Sequence, residues 1–193
     1  MITPSILIVN DDSIFSEGIK ALWEAMSELG KTTVVAPKQD NSGSGHAITI
    51  SRPLQFEKIS LESGLTGYAI NGTPADSVKF AMNVIMEKKP DILVSGINSG
   101  SNVGQSILYS GTVSAAREGS FRGVNSIAIS LDSTRDPDYS TSKTISKKIV
   151  QYVLKNRLPS GTFLNVTIPN LSEDKIKGFK ITKQGSMYFS DSF

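Results

Sequence analysis

Short runs of apolar residues alternate with segments of helical periodicity along most of the chain. The apolar runs predict buried β-strands over residues 6–9, 32–36, 91–95 and 126–130. The segments between them repeat apolar side chains at helical spacing, which predicts helices over residues 16–29, 74–85 and about 110–121. A strand, a helix and a second strand within about 35 residues form a βαβ unit. The pattern therefore predicts an α/β fold with a mostly parallel, doubly wound sheet.

The remaining segments add less regular elements. Residues 46–70 alternate short β-like pieces with turns, which predicts a β-hairpin excursion from the main sheet, with a first piece over 46–50. A helix is predicted over residues 140–158, and strands over 163–168 and 178–182 close the chain. No interdomain linker interrupts these elements, so we expect residues 1–193 to form a single domain.

Capping residues mark several of the predicted helix ends. Ser16 is a candidate N-cap for the first helix, and Gly30 is placed to end it. Thr73 and Pro74 offer the next helix an N-cap and a first-position proline. These residues are explained by a structural role alone.

The composition excludes several classes of function. Hydrophobic residues make up 38% of the chain and charged residues 20%, as in soluble globular proteins. A net charge of +2 without a basic run argues against a nucleic acid polymer as partner, and no apolar run approaches the ~20 residues of a membrane span. The absence of cysteine excludes disulfides and thiolate chemistry and is compatible with a cytoplasmic location. His46 is the single histidine, so any metal must be held mainly by oxygen.

Two adjacent carboxylates, Asp11 and Asp12, follow the first predicted strand after Asn10. Ligand sites in open α/β sheets lie just outside the carboxyl ends of the strands. Neighbouring anions repel each other unless a positive charge lies beside them, and a hard cation is one candidate. The alternative is that one Asp caps the next helix while the other is solvated.

Two polar loops leave the same predicted edge of the sheet. Residues 37–45 include Ser42 and Gly43, and residues 96–104 include Asn98 and Asn102. Such loops can present backbone N–H groups to an anion, and the Asn98 amide oxygen can bind a cation. Neither loop matches the P-loop or the dinucleotide-binding fingerprint, and ordinary surface turns are the alternative.

The segment of Ser110, Gly111 and Thr112 leads into a predicted helix. Hydroxyls and free N–H groups at a helix N-terminus can bind a phosphate, although simple N-capping explains the same residues. Asp11 and Asp12 together with a Ser hydroxyl and an Asn amide oxygen suit Mg²⁺, Mn²⁺ or Ca²⁺. A hard cation beside an anion site is an arrangement that hydrolyses phosphate esters, and one Asp can act as the base or hold the attacking water.

At these residues the chain resembles the stationary-phase survival protein SurE family of metal-dependent nucleotidases. The similar stretches follow the family's order through most of residues 5–130, and they are ILIVNDD, VVAP, NSGSGHAIT, GTPADSVK, DILVSGINSGSNVG, YSGTVSAAREG and SIAIS. The resemblance implies a three-layer, Rossmann-like α/β fold and one divalent cation, Mg²⁺ or Mn²⁺, per subunit. It further implies hydrolysis of nucleoside 5′- and 3′-monophosphates to nucleoside and phosphate, and of short polyphosphate in some members.

The resemblance also assigns roles by position. The metal ligands of the family fall on Asp11, Asp12, Ser42 and Asn98, and of these the two Asp residues and Asn98 take the catalytic roles. The residues near the bound substrate fall on Gly43, Asn102, Ser110, Gly111 and Thr112.

Two features depart from the family's pattern. Ser13 occupies the place after the Asp pair where the family usually has Gly, and we expect a small local change there because Ser disfavours a left-handed backbone. Members of the family normally continue into a C-terminal arm that reaches a neighbouring subunit. This sequence ends at Phe193, near where the arm begins, so we expect the arm to be missing or truncated. A homodimer or homotetramer is expected if the arm is present.

Two other functions remain open at this point. The first is a non-catalytic module that binds a nucleotide or phosphate, and the second is a metal-dependent hydrolase of another ester, such as a sugar phosphate. The Asp pair favours an enzyme, because two carboxylates without a metal would hinder the binding of an anion. His46 adjoins the Ser42 loop. It either supports the site or contacts substrate, or it is an ordinary packed or solvated histidine.

Overall fold

The computed structural model of the chain describes residues 3–186. The strands of this part are β1 (Ser5–Val9), β2 (Lys31–Pro37), β3 (Phe56–Ser60), β4 (Thr66–Ile70), β5 (Ile92–Ser99), β6 (Asn125–Asp132) and β7 (Leu164–Pro169). The α-helices are α1 (Glu17–Ser27), α2 (Pro74–Phe80), α3 (Ser106–Tyr109), α4 (Gly111–Phe121) and α5 (Tyr139–Asn156). A π-helical turn over Ala81–Ile85 continues α2, and a 3₁₀ turn over Glu173–Lys175 follows β7.

The strands within residues 3–186 form one sheet in the order β3-β4-β2-β1-β5-β6-β7. Neighbouring strands pair in parallel except β3, which runs antiparallel to β4. Helices α1 and α5 contact each other on one side of the sheet, and α2 and α4 do so on the other. The predicted three-layer, mostly parallel α/β fold with a β-hairpin is therefore confirmed. No helix among the described residues combines the length and the apolar character needed to cross a membrane.

Strand β1 lies inside the sheet and is buried on both faces. Ile6 and Ile8 pack with α1 and α5, whereas Leu7 and Val9 pack on the side of α2 and α4. All four side chains are completely inaccessible to solvent, and each stabilises the fold by about 1.5–3 kcal/mol through burial. This packing holds the end of β1, and with it the Asp pair, in one place.

The first piece of the predicted excursion is not a strand. Residues 46–50 have no β-structure, and Ile50 is 85% exposed. The segment pairs with no strand of the sheet, and β3 is the edge strand on this side. The start of α2 holds the segment instead, since the Thr73 hydroxyl donates to the Ala47 carbonyl at 2.7 Å and the Thr49 N–H donates to the Asp76 carboxylate at 3.1 Å.

Strand β5 is longer than predicted. It continues through Gly96 to Ser99, and its pairing with β6 shifts register between Ser95 and Asn98. Ile97 is fully buried within the shifted part. The apolar Ile97 therefore extends the strand, and Asn98 lies on a bulged strand end rather than on a flexible loop.

The predicted strand over residues 178–182 is wrong. These residues have no strand structure, and Phe179 and Ile181 are 66% and 92% exposed. They do not pair with β7, which is the last strand of the sheet in the described part of the chain. Residues 187–193, which include the end of the sequence used to expect a missing arm, lie outside the described residues.

The first helix begins as predicted but ends for a different reason. The Ser16 hydroxyl accepts a hydrogen bond from the N–H of Ile19, whereas the helix ends at Ser27 with Glu28 as its C-cap. Gly30 does not have a positive φ. A Cβ atom at this position would lie 2.2 Å from the Pro4 carbonyl oxygen, so the close approach of the backbone before β1 requires the glycine.

Replacement of two glycines tests whether Gly30 is required by close packing against the backbone before β1 rather than by its role at the helix end. We expect Gly30→Ala to lower the free energy of unfolding by about 3 kcal/mol, because the backbone must move to accommodate the methyl group. Gly123→Ala is the control, since Gly123 has φ +74° and open space around its Cα, and it should cost about 1 kcal/mol. Urea unfolding measures both values, and equal costs would contradict the packing explanation.

Candidate functional site

Asp11 lies at the carboxyl end of β1 and is only 3% exposed. The Thr112 hydroxyl, at the start of α4, donates a hydrogen bond to Asp11 Oδ1. Gly111 permits this approach, because a Cβ atom there would lie 2.7 Å from the Cβ of Asp11 and 2.9 Å from Pro74 Cγ. The N-terminal turn of α4 and the first Asp of the pair are therefore in direct contact.

Asn98 approaches the same point from the end of β5. Its amide nitrogen donates to the carbonyl oxygens of Gly100 at 2.7 Å and Ser99 at 3.3 Å, and its Oδ1 lies 3.2 Å from the Thr112 hydroxyl oxygen. A hydroxyl has a single proton, and here Asp11 is its nearer acceptor. The Asn98 Oδ1 atom therefore keeps acceptor capacity towards the cleft, as a cation ligand requires.

Asp12 is less tightly held than Asp11. The backbone N–H of Ser99 donates to its Oδ2 at a long 3.4 Å, which lowers the pKa of Asp12. Burial, followed by the negative charge of Asp11, nevertheless raises the pKa of Asp12 to about 6. Burial also raises the pKa of Asp11, against the hydrogen bonds from Thr112. The pair is thus a buried negative charge that a cation would stabilise.

Ser42 and Gly43 lie on the loop that follows β2, opposite Asn98. Both are exposed, and the Ser42 N–H and hydroxyl donate to Asp40 Oδ1 at 2.7 and 2.6 Å. The loop is joined to the Asp pair by a hydrogen bond of 2.8 Å from the Asn41 N–H to the Asp11 carbonyl. The loop after β2 therefore contributes short polar residues near the surface, whereas the sheet edge contributes buried ones.

An open cleft of about 240 Å³ lies between these groups. Six of the predicted site residues line it, and they are Asp11, Ser42, Gly43, Asn98, Asn102 and Ser110. Ser110 is the N-cap of α4, and its hydroxyl accepts from the Val113 N–H at 3.1 Å. Asn102 is held below the cleft by a bond of 3.0 Å to the Ser130 hydroxyl. The other three, Asp12, Gly111 and Thr112, adjoin these residues, so the structure brings the whole predicted set together.

Several residues of the site were missed in the sequence. Asp40 adds a third negative charge that raises the pKa of both Asp11 and Asp12, and Tyr109 lines the cleft from the short helix α3. Asp40 lies two positions before Ser42 in the same polar loop, a spacing typical of an Asx turn. Tyr109 directly precedes the predicted phosphate-binding segment, which was the available signal for its position.

His46 does not line the cleft. Its Nε2 atom lies 3.1 Å from Glu118 Oε2, and its ring lies nearly parallel to that of Phe121 with 5.9 Å between the centroids. Substrate contact by His46, one of the open interpretations, is thus not supported.

The donor set fits a hard cation. Among residues 3–186, no group of three or more His, Cys, Asp or Glu side chains is placed to hold a metal. A cation at this edge of the sheet would therefore depend on neutral oxygens as well as on Asp11 and Asp12. Asn98 Oδ1 and the Ser42 hydroxyl are oxygens of that kind, and oxygen ligands are those that Mg²⁺ and Mn²⁺ prefer.

Comparison with known proteins shows the family of the chain. The sequence profile of the family described as Survival protein SurE matches residues 6–191. The chain belongs to the SurE family. The protein named 5′-nucleotidase SurE of Flavobacterium johnsoniae is 46% identical over 98% of this chain and 74% of its own length. The protein of the same name from Protochlamydia amoebophila is 42% identical over 98% of the chain and 73% of its own length.

A crystal structure of the SurE protein from Aquifex aeolicus is also similar. It superposes with a TM-score of 0.87 at 46% identity, over 94% of this chain and 73% of that one. The SurE resemblance found in the sequence is thereby confirmed, and with it the fold that it implied.

The backbone conformation at Ser13 of this SurE chain differs from our expectation of a local change. Ser13 itself adopts a positive φ of 88°, so the backbone keeps a conformation that favours Gly. Its hydroxyl donates to the Lys38 carbonyl at 3.1 Å and accepts from the Phe15 N–H at 3.2 Å, which partly offsets the strain. The Asn10 amide also donates to the Ser13 carbonyl at 2.7 Å. The surrounding bonds hold the serine where a glycine would be unstrained.

Two substitutions at Ser13 separate strain from hydrogen bonding. We expect Ser13→Ala to lower the free energy of unfolding by about 1 kcal/mol, because it loses the hydroxyl bonds and keeps the strain. Ser13→Gly loses the same bonds but relieves strain of about 1–3 kcal/mol, so it should be the more stable of the two. Thermal unfolding of both variants measures the difference, and an Ala variant at least as stable as the Gly variant would contradict the assigned strain.

The raised pKa of Asp12 predicts a pH-dependent stability of the metal-free protein. The folded state binds this proton more tightly than the unfolded state, whose carboxyl has a pKa near 3.8. Stability therefore falls as the pH rises from about 4 to above 6, by roughly 3 kcal/mol in total. In chelator, we expect the midpoint of thermal unfolding to decrease between pH 5 and pH 7.5, and the decrease to be smaller in Asp12→Asn. An equal decrease in the variant would exclude Asp12 as the source.

Proposed function

We infer that this chain is a 5′-nucleotidase, because relatives with that name are 42–46% identical over nearly its whole length. We propose further that it depends on Mg²⁺ or Mn²⁺, with one cation per subunit, and hydrolyses nucleoside 5′- and 3′-monophosphates to nucleoside and phosphate. Short polyphosphate is proposed as an additional substrate. A cytoplasmic location and a dimeric or tetrameric assembly stay predictions.

The observation that carries the proposal is the meeting of Asp11, Asn98 and Thr112 at one point of the sheet edge. Asp11, Asp12, Asn98 and the Ser42 hydroxyl would hold the cation. When bound, a divalent cation polarises a phosphoryl oxygen and lowers the pKa of a water molecule. The raised pKa values of the two Asp carboxyls support this assignment, because a cation would offset their mutual repulsion.

The protein's own groups have separate tasks in the proposed reaction. Asp11 is fixed by its hydrogen bond from Thr112 and would hold the cation in a defined position. Asp12 receives a weaker hydrogen bond, so its oxygen atoms would remain available to accept a proton from the attacking water. The N-terminal turn of α4, with Ser110, Gly111 and Thr112, would hold the phosphate. Gly43 and Asn102 would contact the substrate from the two polar loops that flank the cleft.

The proposal predicts metal-dependent phosphate release that requires Asp12. With 5′- and 3′-mononucleotides, we expect release in the presence of Mg²⁺ or Mn²⁺ and none in excess chelator. Asp12→Asn should lower kcat/KM by about 100-fold or more, since it removes a ligand and the proton acceptor. Measurement of released phosphate across both substrate sets, with ribose 5-phosphate for comparison, also ranks the ester classes.

Asp174→Asn is the matched control, because it makes the same chemical change at an exposed position outside the cleft. It should match the unmodified protein. Release that continues in chelator would contradict the metal dependence. Binding of nucleotide without turnover under any metal would favour the non-catalytic module instead.

A further inference from the structure

The tip of the Ser42 loop, residues 42–44, makes few contacts that would fix its position. Ser42 bonds to Asp40 of the same loop, and the Ser44 N–H bonds to the Asn41 carbonyl at 3.1 Å. Ser42 and Gly43 are both exposed, so packing does not locate them. The position of Ser42 relative to Asp12 must therefore depend on how the two ends of the tip are attached.

The two ends are attached to different parts of the protein. On the side before Ser42, the Asn41 N–H donates to the Asp11 carbonyl at 2.8 Å. On the side after it, the Gly45 N–H donates to the Tyr109 carbonyl at 2.8 Å, and His46 Nε2 contacts Glu118 Oε2 at 3.1 Å. The Thr73 hydroxyl also bonds to the Ala47 carbonyl at 2.7 Å, but it joins the chain to α2. The His46 contact is the side-chain bond that joins this stretch to α4.

Glu118 is a well-fixed partner for His46. Its side chain is only 13% exposed, and its other oxygen, Oε1, accepts from Arg122 Nε at 2.8 Å one helical turn further along α4. Both carboxylate oxygens are thus engaged, which fixes the carboxylate plane. The same helix carries Thr112 at its N-terminus, where it bonds to Asp11. Helix α4 can therefore serve as a common reference for the two sides of the cleft.

We propose that His46 is a positioning residue, and that its bond to Glu118 holds the Ser42 loop against α4 so that Ser42 and Gly43 face the Asp pair. The role in metal binding rests on the proposed function of Ser42, whereas the attachment of the loop does not. The alternative is that His46 acts only by packing on Phe121, whose ring lies 5.9 Å away.

Two substitutions of His46 separate the bond from the packing. His46→Gln keeps a nitrogen that can donate to Glu118 and loses the ring, whereas His46→Phe keeps a ring beside Phe121 and loses the donor. In His46→Phe we expect faster hydrogen exchange at the amides of residues 41–47 and an affinity for Mn²⁺ about tenfold lower. In His46→Gln both quantities should stay close to those of the unmodified protein.

Two further variants approach the contact from α4. Glu118→Met removes the acceptor and should reproduce the His46→Phe result, so the test does not depend on a single variant that folds. Arg122→Met removes only the second partner of Glu118 and should have a smaller effect. Lys143→Ala is the matched control, because it removes an ion pair of the same 3.1 Å length, to Glu24, between α1 and α5.

The outcomes decide between the two interpretations. Loop exchange that is unchanged or slower in both His46→Phe and Glu118→Met would overturn the proposal, as would unchanged Mn²⁺ affinity in both or a loss in His46→Gln equal to that in His46→Phe. If the unmodified protein binds no Mn²⁺ and releases no phosphate, the proposed function fails. Hydrogen exchange of the loop would then still decide whether the His46–Glu118 bond positions it.

Discussion

The contact between Asp11 and the N-terminal turn of α4 is the constraint on which the rest of the site depends. It brings a buried carboxylate within hydrogen-bond distance of the Thr112 hydroxyl, and it requires a residue without a Cβ atom at position 111. The strand behind Asp11 is completely buried, so the carboxylate cannot retreat from the helix. Asn98 and the Ser42 loop are then arranged around a point that β1 and α4 have already defined.

The burial of neighbouring carboxylates is electrostatically unfavourable in the metal-free protein. Burial is the largest cause of the raised pKa of both Asp11 and Asp12, and their mutual charge and that of Asp40 add to it. The apolar packing of β1 compensates for the cost, because four fully buried side chains lie just before the pair and only Asn10 separates them from it. The proposed cation would offset this cost, so the protein should be more stable with the cation bound than without it.

Much of the fold could be predicted because local and tertiary preferences agree in it. Residues 6–9 are apolar on both sides and form the buried strand β1, and Ser16, Thr73 and Ser110 cap the helices that they precede. The predicted strands over 46–50 and 178–182 are wrong because β-propensity does not show whether a segment pairs with another strand in the fold. Asn98 was placed on a loop because the register shift in β5 depends on pairing with β6, which the sequence does not display.

The sequence predicts which residues come together at the site but not the hydrogen bonds between them. Asp11, Asn98 and Ser42 could be grouped because each follows a strand, and the carboxyl ends of parallel strands share one edge. Their hydrogen bonds depend on α4, whose residues come later in the chain and whose direction is fixed by packing on the sheet. Ser13 shows the same limit at a single position. Its backbone keeps a positive φ, because the bonds around it outweigh the local preference of serine.

Helix α4 connects parts of the site that are distant in sequence. Through Thr112 it contacts the end of β1, and through Glu118 it contacts the loop after β2. A displacement of this helix would therefore affect both contacts at once. The geometry of the cleft thus depends on the packing of one helix on the sheet, and polar groups on the exposed tip need no rigid fold of their own.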